Sequence, residues 1–492
     1  MKAPNDSARV VVVGSGPSGA MAAHELTSSG VGVTMLEAGL RPPSGLIVKA
    51  AGHTLVRWRS QTQLLDDRHV ALGDPETEWF SALSPGGLSN YWTAAVPRFA
   101  PEDFKDGGRL DERFVWPVSY EELAPFYDLA EGILMVSGST QSLPTLPAGA
   151  VRYRRELPDG WRALADATHT RRFTTMPLAR GGQWLVARRG SEFNSYNVVV
   201  KRLEEAATFQ MRLGAKATRI TVNPSSGVAT GVEYVDAATG VMSVLECDAV
   251  VLAAGVIDST RILLSSTSHS TGQGLGNDHG VVGRYLHDHP REWWVADFEK
   301  PLPLVAHPIY LTREHYAKSA PLRGSSATIG RASTWQRPME WARRPGTKFG
   351  VQIFGTMVPD ETVGIELLPH QSPDSIRPRV GLRIRYGSDD LATLSDAQNC
   401  FQSLFADAGY PVKVIREPWI PRPGSSAHYA GSVRMHDDPA FGVLDRWSSI
   451  HGTPNVAVVD LSAFTTNPEK NPTLTSMALA ARAARHLGQT LR

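Results

Sequence analysis

Three glycines, Gly14, Gly16 and Gly19, stand in the spacing G-x-G-x-x-G, and Glu37 follows them after a short apolar run. Each residue type has a use in that pattern. Gly14 permits a tight turn, Gly16 lets backbone approach a pyrophosphate because it has no Cβ, and Gly19 lets a helix pack closely on a strand. A helix opening there offers free N–H groups and partial positive charge to phosphate. A carboxylate at Glu37 can accept both hydroxyls of a ribose, and it argues against a 2′-phosphate and so against NADPH. A second group of residues lies near the other end of the chain. His428 sits in Ser426-Ala427-His428-Tyr429-Ala430-Gly431-Ser432-Val433-Arg434-Met435, Asp460 follows the apolar run Val456 to Val459, and Asn471-Pro472-Thr473 precedes an alanine-rich stretch. A third, His287-Asp288-His289-Pro290, has the look of a metal pair. Residues two apart on a strand supply only two ligands, and no third is sensibly spaced, so no metal is expected.

Elements must place these residues. Val10 to Val13 form a β-branched run with no polar face, which predicts a strand buried on both sides. Helix formers from Ala20 to Ser29, a stop at Gly30 and a second apolar strand at Val33–Leu36 complete a strand–turn–helix–strand–acid unit. Pro472 suits the first turn of a helix running to about Leu487. Asp248 to Gly255 predicts another buried strand returning to the same sheet, with Asp258-Ser259-Thr260 capping the helix behind it. The segments Gln210–Leu213, Ala217–Val222, Val228–Tyr234 and Val241–Cys247 predict short strands between Gly, Asn and Ser. Ser119, followed by Glu121 and Glu122, predicts a helix start, which Pro125 would delay.

The loop Ser84-Pro85-Gly86-Gly87-Leu88-Ser89-Asn90-Tyr91-Trp92-Thr93 is rich in backbone and carries two large aromatics, which suits wrapping a ligand better than a surface turn. Gly138 to Pro158 is rich in Pro, Gly and Ser and predicts a loop or lid. Beyond Trp293 the character changes. Val380, Leu382, Ile384 and Tyr386 alternate with Gly381, Arg383 and Arg385, predicting an antiparallel strand with one wet face. Leu391, Leu394, Phe401, Leu404 and Phe405 then recur at helical spacing up to Gly409. The fold class is therefore α/β: a Rossmann-type nucleotide domain with a parallel sheet, plus a substrate domain of antiparallel sheet and helices. The cofactor domain is discontinuous, drawn from 1–45, 80–100, 195–292 and 423–492. Residues 101–194 and 293–422 form the substrate domain and lid.

Bulk properties narrow the function. A chain of 492 residues is too long for one core. The net charge of +1 implies neither nucleic acid nor an anionic membrane surface as partner. Two cysteines, Cys247 and Cys400, give no disulfide framework or thiolate metal site. The polar start MKAPNDSAR is no signal peptide and no apolar run is long enough to span a bilayer, so a cytoplasmic protein is expected. Arg343, Arg344 and Lys348 suggest solvated surface.

Taken in order, these motifs resemble the glucose–methanol–choline (GMC) family of oxidoreductases. The resemblance covers nearly the whole length. It rests on the N-terminal fingerprint with Glu37, the Gly86-Gly87 loop, Trp116-Pro117, the Ala253-Ala254-Gly255 strand end, Gly283-Arg284-Tyr285-Leu286, the H-x-x-G-[ST]-x-R-M segment at His428, the Val458-Val459-Asp460 strand end and Asn471-Pro472-Thr473. The resemblance implies FAD and oxidation of an alcohol by hydride transfer to flavin N5, with oxygen or another oxidant as final acceptor. It places His428 on the family's catalytic histidine and Asn471 on the second active-site position, His or Asn among members. It also puts Gly14, Gly16, Pro17, Ser18, Gly19, Glu37, Ala38, Gly87, Ser89, Asn90, Tyr91, Trp92, Ala217, Ala254, Gly255, Asp460, Leu461, Asn471, Pro472 and Thr473 beside the cofactor.

Physical chemistry agrees with those roles. Hydride leaves a carbinol carbon as its hydroxyl proton departs, and a neutral imidazole is a suitable acceptor near pH 7. General-base help of roughly 10²–10⁴-fold is worth about 3–5 kcal/mol, against about 0.3–2 kcal/mol from the helix dipole at Pro472. The Gly86–Thr93 segment is most similar to the pyranose-oxidase branch, where a histidine in the place of Tyr91 is linked to the flavin. Tyr91 cannot make that link, so non-covalent FAD is expected. The branch implies oxidation of a pyranose or glycoside at C2 or C3. An amino-sugar, a sterol or another bulky alcohol, or a redox-silent lyase of the same family, are the alternatives. Trp293, Trp294, Trp335 and Trp341 are the aromatics in or near the substrate domain that could stack on a sugar.

Overall fold

The computed structural model describes residues 7–40, 69–90, 92–167, 173–180, 193–267, 272–303, 308–312, 321–331, 347–369, 378–414 and 421–492. Tyr91, Trp335, Trp341, Arg343 and Arg344 lie outside them. The valine run forms β1 (Ser7–Val13), and Val10, Val11 and Val12 have no solvent exposure. Gly14 turns the chain into α1 (Pro17–Ser28), with Pro17 where its missing N–H leaves no bond unmade. Strand β2 (Val33–Glu37) follows, buried throughout.

β1 pairs in parallel with β2 and with β7 (Met242–Leu252), Val12 lying opposite Met35 on one side and Val251 on the other. β14 (Thr453–Val458) extends the sheet in parallel beyond β7, and β4 (Phe209–Leu213) extends it beyond β2. β13 (Ser449–Ile450) closes one edge. A hairpin of β5 (Ala215–Val222) and β6 (Ala229–Asp236) joins antiparallel through β6 to the outer half of β7, giving eight strands. The segments Val241–Cys247 and Asp248–Gly255 are thus one strand, not two: the alternating half pairs with β6 and the fully apolar half lies between β1 and β14.

Helix α2 (Tyr120–Leu134) starts where Ser119 and Glu122 cap each other's backbone N–H. It does not start later, as Pro125 suggested. Pro125 is exposed, so the Glu121 carbonyl that it cannot bond faces water. Helix α3 (Val256–Ser265) also differs from expectation. Gly255 stands at its cap with φ 86, and Asp258, Ser259 and Thr260 fall inside the first turns.

The second sheet is antiparallel, in the order β12 (Val412–Val414), β8 (Arg291–Phe298), β11 (Lys348–Gly355), β10 (Ser325–Arg331), β9 (Ile309–Thr312) and β3 (Phe173–Thr175). One face is apolar. Trp294, Phe298, Ile329, Phe349, Val351 and Ile353 pack there under Trp161 and under Leu394, Phe401 and Phe405 of α4 (Ser388–Asp407). The alternation read at Val380–Tyr386 lies elsewhere. Its strand ends at Arg383, between Gly364–Leu367 and His69–Ala71 in a small third sheet, and Gly381 is buried under Leu72 instead of facing water. The last helix, α5 (Thr473–Thr490), crosses α1, and Arg485 bonds Glu25 with 2.8 Å between Nη2 and Oε2. No helix among the described residues is long and apolar enough to cross a membrane.

Candidate active site

The glycine turn has three different glycines. A Cβ on Gly14, whose φ is 98°, would lie 2.4 Å from the Ala253 carbonyl oxygen, and one on Gly19 would lie 2.1 Å from that of Gly14. Gly16 is the opposite case: a Cβ there meets nothing within 4 Å. Gly14 and Gly19 therefore serve the packing of the turn, while Gly16 borders open space at the N-terminus of α1. Gly87 lies beside it, its Cβ position 3.5 Å from Gly16 Cα. Gly255 likewise opens onto space. Backbone that closes on itself yet leaves room at the helix terminus suits a pyrophosphate cradle, and the chain fits a dinucleotide there.

Glu37 is buried and accepts from the backbone N–H groups of Ser15 at 3.1 Å and Gly39 at 2.8 Å, and from the Ser15 hydroxyl at 2.5 Å. Burial raises its carboxyl pKa, and these donors oppose the rise. The carboxylate thus ties the glycine turn to the end of β2 at Ala38. The Gly86–Trp92 loop is stapled in turn. Gly86 N donates to Ser15 Oγ at 2.9 Å, and Ser89 Oγ donates to Gly86 O at 2.6 Å. Asn90 Nδ2 reaches Ser84 Oγ, Pro85 O and Gly87 O at 2.9–3.0 Å, and Trp92 Nε1 donates to Phe193 O at 2.8 Å. Ser195, unmarked in the sequence, locks both loops: its hydroxyl donates to Ser15 O at 2.8 Å and its backbone N–H to Ser89 Oγ at 3.1 Å. At the N-terminus of α1, Ser18 Oγ meets Ser476 Oγ of α5 at 2.6 Å.

Asp460 is spent on structure. One oxygen accepts from Gly255 N at 3.0 Å and Ser259 Oγ at 2.5 Å, the other from Ser462 N at 2.9 Å and Ser462 Oγ at 2.6 Å. Ala254 N bonds Ser259 Oγ at 3.1 Å. These bonds shape the Ala254-Gly255 turn and the short Leu461–Ala463 turn around it. Ala217 lies on β5, and its carbonyl holds Arg261 Nη2 at 3.2 Å.

His428 and Asn471 meet. Asn471 Nδ2 lies 3.0 Å from His428 Nε2, just before α5 begins at Thr473 with Pro472 as its cap. On the far side of the ring, His428 Nδ1 lies 3.1 Å from His289 Nδ1. The backbone is held as firmly. His428 N donates to Ser426 Oγ at 2.9 Å, Ser426 Oγ donates to Asp288 Oδ1, and Asn467 Nδ2 donates to His428 O at 2.7 Å. Ala427, between them, takes φ 56, a conformation that a non-glycine residue holds only where its surroundings enforce it. Asp288 also accepts from Gly424 N at 2.8 Å and Tyr386 OH at 3.0 Å. Burial pushes the His428 pKa well below its ordinary value, helped by His289 and Arg291, so the ring is neutral. Behind Asn471, Lys470 is fully buried between Asp103 at 2.8 Å and Glu469 at 3.0 Å.

The second sheet supplies the remaining wall. Phe354 lies against His428, ring centroids 5.0 Å apart, so its face of the sheet looks at the histidine. Register puts two rows on that face: Arg291, Phe354 and Ser326, then Trp293, Gln352, Thr328 and Tyr310. Ser326 Oγ donates to Glu469 O at 3.0 Å and Tyr310 OH to Glu469 Oε1 at 3.4 Å, which confirms the side. Trp294 points the other way and is core, packed edge-on to Phe401. The segment from Gly138 places Leu143 and Leu146 in a small apolar cluster with Tyr310. His287 Nδ1 donates to Tyr285 O at 2.8 Å, and among the described residues no group of three or more His, Cys, Asp or Glu is arranged to hold a metal ion.

Comparison with known proteins agrees with this geometry. Models described as GMC oxidoreductase match residues 115–291 and 366–480, and one described as FAD binding domain matches 7–45. The 2-methyl-1,2-propanediol dehydrogenase of Mycolicibacterium austroafricanum is 27% identical, over 98% of this chain and 96% of its own. Paromamine 6'-oxidase of Streptomyces fradiae is 27% identical over 97% and 90%, and C-glycoside 3-oxidase of Microbacterium trichothecenolyticum 26% over 98% and 96%. In fold, the chain is similar to the crystal structure of pyridoxine 4-oxidase from Mesorbium loti, with TM-score 0.67 and 18% identity, covering 98% of this chain and 99% of that one. The protein is an FAD-dependent oxidoreductase acting on CH–OH groups. It belongs to the GMC oxidoreductase family.

Proposed function

We propose that the protein oxidises a secondary ring alcohol of a pyranose or glycoside, at C2 or C3, to a keto sugar. The row Trp293–Gln352–Thr328–Tyr310, on the sheet face that carries Phe354 against His428, is the observation that supports this most. An indole offers a flat surface for the C–H face of a sugar, and amide and hydroxyl side chains beside it satisfy ring hydroxyls. A sterol would need a long apolar wall instead. The relative named C-glycoside 3-oxidase points the same way. Arg291 on the same face disfavours a cationic amino-sugar held near His428.

Bound FAD supplies the two-electron acceptor. The chain's own residues do the rest. Among the described residues, Gly14, Gly16 to Gly19, Glu37, Ala38, Gly87, Ser89, Asn90, Trp92, Ala217, Ala254, Gly255, Asp460, Leu461 and Asn471 to Thr473 would frame the cofactor. Neutral His428 takes the hydroxyl proton on Nε2, and Asn471 Nδ2 holds the hydroxyl oxygen without competing for that proton. The proton acceptor lowers the barrier by about 3–5 kcal/mol. Oxygen or another oxidant recovers the electrons. Neither Cys247 nor Cys400 is in a disulfide, which suits a cytoplasmic setting.

The test is product analysis by NMR after incubation with glucose, simple O- and C-glycosides, an aminoglycoside, choline and a sterol. A keto sugar from a neutral glycoside is expected. Activity confined to the sterol or choline overturns the substrate reading, and turnover without bleaching of the flavin band identifies a lyase.

A further inference from the structure

His289 stands outside the family motif at His428, and its geometry assigns it a task. We infer that His289 is a positioning residue that holds His428 in the one tautomer whose Nε2 is free to accept a proton. This rests on the reading of His428 as the base.

The protons can be followed from one end of the chain of contacts to the other. His289 Nε2 lies 3.3 Å from the Asn467 carbonyl oxygen, which can only accept, so Nε2 carries the hydrogen. Burial keeps His289 neutral, against the opposing pull of Asp288 and Glu469, so its Nδ1 bears a lone pair. The two Nδ1 atoms are 3.1 Å apart, and one hydrogen must lie between them. His289 cannot provide it, so it sits on His428 Nδ1. His428 is neutral too, which leaves its lone pair on Nε2, where Asn471 Nδ2 donates at 3.0 Å. Every polar atom in the series has a partner of the right kind.

The rings are also fixed in space. Phe354 lies 5.0 Å from His428 and 5.9 Å from His289, centroid to centroid. The Tyr386 hydroxyl shares its one hydrogen between Asp288 Oδ2 at 3.0 Å and His289 O at 3.2 Å. Once Nε2 has taken a proton, the bond from His428 Nδ1–H to His289 gains charge assistance and stabilises the imidazolium. Without an acceptor at His289, the isolated imidazole is free to carry its hydrogen on Nε2, where it would point at the substrate and could not serve as base. Charged groups around the pair are Asp288, Arg291 and Glu469, and all three remain in the variants below.

Two substitutions separate this from a packing role. His289→Phe keeps a ring against Phe354 and removes the acceptor. His289→Asn restores an acceptor oxygen near the Nδ1 position and removes the ring. Nitrogen-15 NMR of histidine-labelled protein reads the tautomer directly, with His428→Gln assigning the signal. The wild type is expected to show His428 protonated on Nδ1, His289→Phe to shift it toward Nε2–H, and His289→Asn to restore the Nδ1–H form. Rapid mixing with whichever alcohol of the panel bleaches the flavin should show a loss of about 10²-fold or more for His289→Phe, and a much smaller loss for His289→Asn. Wild-type His428 carrying its hydrogen on Nε2 overturns the inference even if the Phe variant fails to fold, as does an unchanged tautomer in that variant. His428→Ala reducing flavin at the parent rate would instead overturn the reading of His428 as base, and leaves the tautomer result to be judged by itself.

Discussion

Asn471 Nδ2 and His428 Nε2 are 3.0 Å apart, although the loop carrying the histidine and the helix start carrying the asparagine have no secondary structure in common. A hydroxyl that displaces their mutual bond finds an acceptor for its proton on one and a donor for its oxygen on the other.

Removing the acceptor should therefore cost more than removing the donor. His428→Ala is expected to retain FAD and lose about 10²–10⁴-fold in the rate of flavin reduction. Asn471→Ala gives up one hydrogen bond, about 1–2 kcal/mol, or roughly 5–30-fold. Rapid-mixing absorbance with a reducing substrate compares them, and equal losses would contradict the division of labour.

Gly19 and Gly16 of the turn should respond in opposite ways. Gly19→Ala forces a Cβ into the Gly14 carbonyl and should cost about 1–3 kcal/mol of stability or more. Gly16 has φ −61°, which alanine adopts freely, and open space beside it. Gly16→Ala should fold with near-parent stability but weaken FAD, because its methyl occupies the cradle. Thermal unfolding of the apo forms and flavin titration distinguish the two. A stable, FAD-tight Gly16→Ala protein would place the pyrophosphate elsewhere.

Acid should expose the buried histidines. Burial holds His287 at about 4, and pushes His289 and His428 down as well. Below pH 6.5 the unfolded chain then binds more protons than the folded one, so this stability is complete above pH 6.5 and is lost as pH falls toward 4. For His287 it amounts to about 3 kcal/mol. The stability of His287→Gln relative to wild type should rise by about that much between pH 7.5 and pH 4, measured by urea unfolding. A pH-independent difference would mean that His287 is not buried neutral. The same depression predicts that flavin reduction holds its full rate at pH 7, with an acid limb below pH 6.5.

The flavin should come off in acid. No histidine lies between Ser84 and Thr93, and Tyr91 occupies the linking place. Precipitation in trichloroacetic acid is expected to leave a colourless pellet. Yellow protein after washing would refute non-covalent binding.

Much of the nucleotide sheet was readable because its strands are buried on both faces, and a run such as Val10–Val13 has few other uses. The substrate wall was not readable in the same way. Trp293 and Trp294 are adjacent and chemically identical, and only the pairing of Trp293 with Gln352 and of Arg291 with Phe354 tells which one looks at His428. His289 was seen only as half of a metal pair, since its partner is 139 residues away and nothing local announces it. Asp460 was legible as the acid after a buried strand, but not its four bonds, which shape the Ala254-Gly255 and Leu461–Ala463 turns. Arg434 stands in the histidine motif, and its guanidinium lies 3.5 Å over the ring of Tyr285.

The meeting of Ser18 and Ser476 has a consequence for how the chain folds. These residues are 458 apart, and Val12 must wait for Val251, which in turn waits for Ala457. At translation rates of 5–20 residues per second, roughly 20–90 s separate synthesis of the first helix from synthesis of the one that covers it. During that time Ala20, Met21, Ala23 and Leu26, all fully buried in the finished protein, have no α5 to pack against. Long-range pairing of this kind is slow, and its exposed apolar surface aggregates. A chaperone that shields the first helix, or a low temperature that weakens apolar association, should raise the soluble yield more than any change near the histidines.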